Sequence, residues 1–214
     1  MAEAGKPTLT YFQIHAKGDF IRMALAKAGV DYIDQQLSFE EFGAMKAAGR
    51  FPAGSVPIWT TADGTIYNQC WAILKMIGRQ NGLYDGSNIE ESYIVDWVLE
   101  TSADCQGAKV YMTQLMPSDD AAANEKATVD FKKFHDQISA RLVAGKFIAG
   151  DRVTIADFVI LSHYLNLAHN PDCAVEGVAA RAAVADSNPE MLEYLGRVKA
   201  EIADWLVTRG KFVC

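Results

Sequence analysis

Cysteine is scarce in this chain. Four occur in 214 residues. Cys70, Cys105, Cys173 and Cys214 are widely spaced, with no CxxC pair and no histidine at metal-ligand spacing. They read as free thiols of a reducing compartment, and neither a disulfide framework nor a metal requirement is expected. No uninterrupted apolar run approaches membrane-spanning length. The stretch "MAEAGKPTLTYF" lacks the apolar core and small-residue cleavage site of a signal peptide. Positive charge is also short: 20 Lys and Arg face 27 Asp and Glu, for a net charge of -7. That balance argues against nucleic acid or an anionic membrane as the main partner. Apart from the alanine-rich "AVEGVAARAAVA" there is no low-complexity segment, and no repeat is visible. What is abundant is apolar material: 50% of residues are hydrophobic and 22% charged, ample for a core and too little charge for disorder. The expectation is a soluble, acidic, cytoplasmic protein of one large or two smaller domains.

Residues 8 to 13, "TLTYFQ", form a short β-rich run. From Asp19, "DFIRMALAKAGV" sets Phe20, Ile21, Ala24, Leu25 and Ala28 at helical spacing, with Asp19 as cap and Gly29 as stop. "DYIDQQL" reads as a second strand, and Ser38 caps a further helix with Glu41 at the capping-box position. "VPIW", a turn at Asp63-Gly64 and "TIY" make a hairpin, and a helix from about Gln69 to Gln80 closes the unit. The order β-α-β-α-β-β-α gives a small mixed sheet with helices on its faces. "NGLYDGSN" then breaks the pattern, and everything beyond reads as helix. The expected segments are Ile89 to Met116, Asp119 to Ala144, a helix apolar almost all the way round in "TIADFVILSHYLNLAHN", and a last amphipathic helix from Pro189 to Arg209.

Three features of the first 80 residues bear on chemistry. Val56-Pro57 stands at the head of a strand. Proline there is either a harmless edge feature or a bend, cis or trans, that frees the Val56 backbone to pair with a bound peptide. Gln69 and Cys70 begin a helix whose unpaired amides suit a carboxylate, although Cys70 reads equally as a small buried filler. Tyr11 ends the first strand, either as a packed aromatic or as a hydrogen-bond donor. In the second half, Thr154 and Asp157 form a capping box for the apolar helix, which is a structural feature.

"LTYF" with "FIRMALAKAGVDY", "EEFGAMKAAGRFPAGSVPIW", "DGTIYNQCWAILKMIGRQNGLY", "TIADF" and "NPEMLEYLGRVKAEIADWLVTRG" occur in one order along the chain. Together they make essentially the whole sequence resemble a cytosolic glutathione transferase, most similar to the sigma class. The resemblance implies an α/β thioredoxin-like N-terminal domain (residues 1–80), a linker (81–88) and an all-α C-terminal helical domain (89–214). It also implies a homodimer that uses glutathione as co-substrate for detoxification.

By the same resemblance, Tyr11 is the catalytic tyrosine that stabilises the glutathione thiolate, which then attacks an electrophile. Ser55, Val56 and the cis-Pro57 hold the cysteinyl part, and Gln69 with Cys70 holds the γ-glutamyl carboxylate. Lys46, with Phe42 where the family usually has tryptophan, binds the glycine carboxylate. Lys17 stands for an arginine near the thiolate. Asp96 and Glu100 match acidic positions that reach the γ-glutamyl amine across the dimer interface. Ile14, His15, Tyr111, Met112 and Phe212 match the electrophile pocket, whose apolar and aromatic mixture implies a small apolar co-substrate. Some sigma-class members isomerise a prostaglandin endoperoxide instead. Cys70, Phe42, Lys17 and the loop "QIHAKGD" depart from the family pattern and admit a second reading, a non-catalytic protein of the same fold. A thiol oxidoreductase is excluded, because no cysteine precedes residue 70.

Overall fold

The computed structural model describes residues 5–106, 121–172 and 177–212. β1 (Thr8–Phe12) lies parallel to β2 (Ile33–Leu37), with Thr8 opposite Ile33 and Phe12 opposite Leu37. On its other side β1 pairs antiparallel with β3 (Ile58–Thr60), and β4 (Ile66–Asn68) completes the sheet in the order β2-β1-β3-β4. The hairpin turns where expected. Gly64 takes φ 88°, and Thr61 N–H donates to Thr65 O at 2.9 Å.

α1 (Ala16–Ala28) makes the crossover between β1 and β2 and buries Phe20, Ile21, Ala24 and Leu25 completely. It stops at Gly29 in the left-handed conformation, φ 63°. Its start differs from the sequence expectation. His15 occupies the cap position, and Asp19 lies inside the helix, fully buried. A cap must face the helix entrance, whereas the Asp19 carboxylate points into the protein and finds its partners there. α2 (Phe39–Ala47) carries the expected capping box: Glu41 N–H donates to Ser38 Oγ at 3.1 Å and Ser38 N–H to Glu41 Oε2 at 2.8 Å. α3 (Cys70–Gln80) buries Ile73, Leu74 and Ile77.

The helical part contains α4 (Ile89–Gln106), α5 (Ala121–Ser139), α6 (Ile155–His163), α7 (Gly177–Asp186), α8 (Pro189–Ala200) and α9 (Ala203–Thr208). α5 ends short of the expected Ala144, because Arg141 N–H turns back to Ile138 O at 2.9 Å. All nine residues of α6 are buried, including the polar Asp157, Ser162 and His163, and its last carbonyls run into one wide π turn over Tyr164–Ala168. The capping-box acid Asp157 is saturated. Its Oδ2 accepts from Thr154 N–H (2.7 Å) and the Thr154 hydroxyl (2.9 Å), and its Oδ1 accepts from Ile148 N–H (2.9 Å) and the Tyr194 phenol (2.7 Å). The terminal helix is two helices and not one. The break falls at Glu201-Ile202, where Ile202 leaves helical geometry at φ −135° and is buried to 4% exposure.

The sheet unit and the helices share one core. At the crossing of α3 and α6 there is room only for glycine, since a Cβ on Gly78 would lie 2.9 Å from Ile155 Cγ2. A polar knot sits beside that core. Asp19 accepts from Ser162 Oγ (2.9 Å), Asn166 Nδ2 (3.1 Å) and both Nη2 (2.9 Å) and Nε (3.2 Å) of Arg209, and Arg209 also bonds Asn166.

Candidate functional site

β1 delivers Tyr11 to the point where the chain turns into α1, and the turn bends back over it. Ala16 is forced to φ 32° in that turn, a conformation that glycine would adopt without strain. The Tyr11 oxygen accepts the backbone N–H of Lys17 at 3.2 Å, so the first-turn amides of α1 point at the phenol. Tyr11 is 5% exposed, and Gly18 leaves it room: a Cβ there would stand 2.4 Å from Tyr11 Cδ1.

Two further backbone features stand at the same end of the sheet, where Thr10 pairs with Ile58 and Ile58 with Asn68. The Val56-Pro57 bond is cis, with Ser55 exposed, Val56 half-buried and Pro57 buried at the head of β3. Gln69 stands at the cap of α3 with φ 73°, again the left-handed region, and its side chain makes no cap bond. The strain places an exposed residue just before the free amides of α3.

Cys70 is buried, and its thiol donates inward to the carbonyl of Lys17 at 3.4 Å. Burial pushes the thiol up to about 12, with the Lys17 charge working the other way, so it stays protonated. The structure thus brings Tyr11, Lys17 and Cys70 together through the backbone of residue 17. The Lys17 side chain itself is exposed.

Phe42 belongs to an aromatic wall. It stacks on Phe51 (5.2 Å between centroids) and meets Phe12 edge-on (4.9 Å), while Phe12 also meets Phe39 (4.9 Å). The Lys46 ammonium lies 5.7 Å from the Phe42 ring, and its Cε passes 3.5 Å from the Cβ position of Gly54. Lys46 is therefore held between the aromatic wall and the loop that leads to Val56. Asp96 is taken up within the chain, by Lys75 Nζ (3.0 Å) and the Tyr84 phenol (3.1 Å), and Glu100 is exposed one turn on.

Of the residues expected in an electrophile pocket, His15 and Phe212 meet at 4.9 Å. They border a cavity of about 300 Å³ shared with Asp19, Arg22, Trp205 and Arg209. His15 is buried, with Nδ1 3.4 Å from Asp19 Oδ1, so its polar edge belongs to the knot. The Ile14 side chain packs on the core, and its carbonyl accepts from Arg22 Nη1 at 2.9 Å. Tyr111 and Met112 lie outside the described residues. Sequence reasoning missed Asp19 and Arg22 as members of this region. The available signal was two charges inside the apolar run "DFIRMALA". Among the described residues no group of three or more His, Cys, Asp or Glu is placed to hold a metal ion, and no helix is long and apolar enough to cross a membrane.

No family model matches the chain. It is similar to hematopoietic prostaglandin D synthase of Gallus gallus, 27% identical over 205 residues that cover 95% of this chain and 96% of that one. It is also similar to probable glutathione S-transferase 6 of Caenorhabditis elegans, 31% identical over 176 residues covering 78% and 83%. Among solved structures, a monomeric glutathione S-transferase of the hookworm Necator americanus superposes with a TM-score of 0.80 over 96% of this chain and 98% of that one. At 20% identity that likeness is one of fold.

Proposed function

The chain belongs to the glutathione S-transferase family, and on that premise we propose that it conjugates reduced glutathione to small apolar electrophiles. Isomerisation of a prostaglandin endoperoxide is the related reaction open to the same thiolate. The observation that supports the reading most is the sheet register, in which Thr10 pairs with Ile58 and Ile58 with Asn68, so that Tyr11, the cis-Pro57 and Gln69 at the start of α3 come next at the same end of their strands.

Glutathione has an anionic carboxylate at each end and a thiol in the middle, and each requirement has a counterpart here. The backbone of Val56, freed from the ladder by cis-Pro57 and followed outward by Ser55, pairs with the cysteinyl residue as an added strand would. The γ-glutamyl carboxylate sits on the first-turn amides of α3, at Gln69 and Cys70. Because the Cys70 thiol is spent on the Lys17 carbonyl, the amides and not the sulfur do the holding. Lys46, steadied over Phe42, takes the glycine carboxylate. Tyr11 donates to the thiolate, with Lys17 adding positive charge nearby. Lowering the thiol pKa from about 9 toward neutrality raises the fraction of nucleophile at working pH. The sulfur attacks the electrophile, the carbon–sulfur bond forms and the leaving group departs. Ile14, His15, Tyr111, Met112 and Phe212 border the electrophile.

The reading extends to a sigma-class, cytoplasmic homodimer that serves detoxification. In it the glutathione-binding domain ends near residue 80, a linker spans 81–88, and Asp96 and Glu100 serve the γ-glutamyl amine of the partner's site. The test is conjugation of glutathione to 1-chloro-2,4-dinitrobenzene by the wild-type chain and Tyr11→Phe. Loss of one transition-state hydrogen bond lowers the rate by at least about tenfold. Equal rates for the two proteins would remove Tyr11 from the mechanism.

A further inference from the structure

We infer that Arg22 is a positioning residue for Tyr11, holding the phenol in place and lending it the field of a buried cation. The inference rests on the reading that Tyr11 serves the glutathione thiolate. Arg22 is 4% exposed in the middle of α1, one turn beyond Gly18, and its guanidinium carbon lies 5.9 Å from the centroid of the Tyr11 ring. Nothing in the helix requires a charge there, because the neighbouring positions Ile21, Met23 and Leu25 are all apolar and fully buried. Burying a guanidinium is costly unless its hydrogen bonds are used; two of its three nitrogens make specific ones, while Nη2 has no hydrogen-bond partner among the described residues. Nε donates to Asp34 Oδ2 on β2 at 3.0 Å, and Nη1 donates at 2.9 Å to the carbonyl of Ile14, in the turn that covers Tyr11.

Arg22 thus ties the strand beside β1, the β1–α1 turn and the face of the tyrosine to one planar group. Gly18 completes the fit: a Cβ there would come 2.4 Å from Tyr11 Cδ1 and 2.9 Å from Arg22 Nη1, so glycine is what lets ring and cation approach. A cation over a phenol favours the phenolate over the phenol. It therefore acts in the same direction as the Lys17 N–H on the phenol oxygen, and both make Tyr11 a stronger donor to a thiolate. Asp34 tempers the effect by balancing part of the charge. The other titratable groups around the pair are Tyr32 just before β2, His15, Lys17 and Asp19 at the start of α1, Cys70 on α3, and Arg209 after α9. All of them stay unchanged in the variants below.

The experiment follows the Tyr11 phenol by ¹³Cζ-tyrosine NMR against pH in the ligand-free chain, with Tyr11→Phe assigning the resonance. Arg22→Met raises the pH of Tyr11 ionisation by about one unit, the low end for a charge within 6 Å that is partly neutralised. Arg22→Lys recovers at least half of that shift, because it restores the charge without the fork. Asp34→Asn moves the ionisation the opposite way, to lower pH. The acid limb of kcat/KM for conjugation follows the same order, while KM for glutathione stays within about twofold, since Arg22 does not touch that ligand. A lower melting temperature in Arg22→Met with an unmoved Tyr11 titration would make Arg22 purely structural and overturn the inference. So would Asp34→Asn shifting in the same direction as Arg22→Met. If Arg22→Met does not fold, the sign of the Asp34→Asn shift decides alone. Calorimetric titration of the wild-type chain with glutathione separates the two readings: absent binding ends the glutathione role of Tyr11, and the phenol titration still decides for or against Arg22.

Discussion

Asp19→Ala removes one residue from the knot at 19, 162, 166 and 209, and the structure sets the size of the result. The variant leaves Ser162 Oγ, Asn166 Nδ2 and two Arg209 nitrogens without their acceptor, all between 2.9 and 3.2 Å in the intact protein. Removing one partner of a buried ion pair costs about 3–5 kcal/mol. Arg209 keeps Asn166 and is 15% exposed, so water relieves part of the loss and the lower half of that range, about 3–4 kcal/mol, is expected. For a chain of this size that corresponds to a fall of roughly 6–16 °C in Tm. Asp19→Asn keeps one acceptor but turns an amide toward donors, and costs about half as much.

The pH dependence has a definite sign. Burial works against ionising Asp19, but the hydrogen bond from His15 and the charge of Arg209 outweigh it and hold the carboxyl far below its usual range. A depressed acid contributes stability that is complete above its unfolded value of about 3.9 and is lost as pH falls below it. Urea unfolding from pH 3 to 7 should show an acid arm in the wild type that is flattened in Asp19→Asn. A cost below about 1 kcal/mol for Asp19→Ala, or superimposable pH profiles for wild type and Asp19→Asn, would refute the reasoning.

Two further outcomes follow from the geometry. Cys70→Ser replaces a weak thiol donor with a hydroxyl on a shorter stem, drawn back from the Lys17 carbonyl and better able to bond a carboxylate. Glutathione affinity by calorimetry should rise about fivefold, roughly 1 kcal/mol, and an unchanged Kd would mean that the α3 amides act alone. His163 is buried between Phe134 (4.7 Å) and Phe20 (5.8 Å), accepts from the Ser102 hydroxyl, and burial pushes its pKa down to about 4. The unfolded chain takes up that proton first, so stability falls as pH drops from about 6.5 toward 4. Melting curves of His163→Phe across that window should be flatter than those of the wild type, and equal slopes would place the titration elsewhere.

Local signals were legible in the sequence wherever a residue answers to its own neighbours. Ser38 with Glu41, Gly29, Asp63-Gly64 and the apolar run after Thr154 each specify a cap, a stop, a turn or a buried helix within a few positions. They sufficed for the order of elements and for the mixed sheet followed by helices. What escaped depends on partners far along the chain. Asp19 satisfies every local criterion for a cap, yet apart from His15 its carboxylate is met by residues 143 or more positions away. The break at Ile202 is driven by burial of one side chain, and the amphipathic pattern of 189–209 runs straight through it. α7 was hidden in an alanine-rich run with no apolar period to mark it. At the candidate site the same rule applies. The backbone devices at Val56-Pro57 and Gln69 are written locally in proline and in the helix start. The inward turn of the Cys70 thiol, the capture of His15 by Asp19 and of Asp96 by Tyr84 and Lys75, and the approach of Arg22 to Tyr11 all need the assembled fold.

The knot at Asp19 also sets an order of events during synthesis. Arg209 follows Asp19 by 190 residues. At typical elongation rates of about 5–20 residues per second, the acid is made on the order of ten seconds or more before the guanidinium that balances it. The sheet and α1 leave the ribosome early, carrying a carboxylate that has no cation to meet inside the fold. Until the last helix arrives, a hydrated and mobile α1 is favoured over a buried one. The helix that shapes the turn over Tyr11 is therefore completed by a residue made much later, and a nascent protein cut a few residues before Arg209 would carry Tyr11, Val56-Pro57 and Gln69 without the means to close the turn over them.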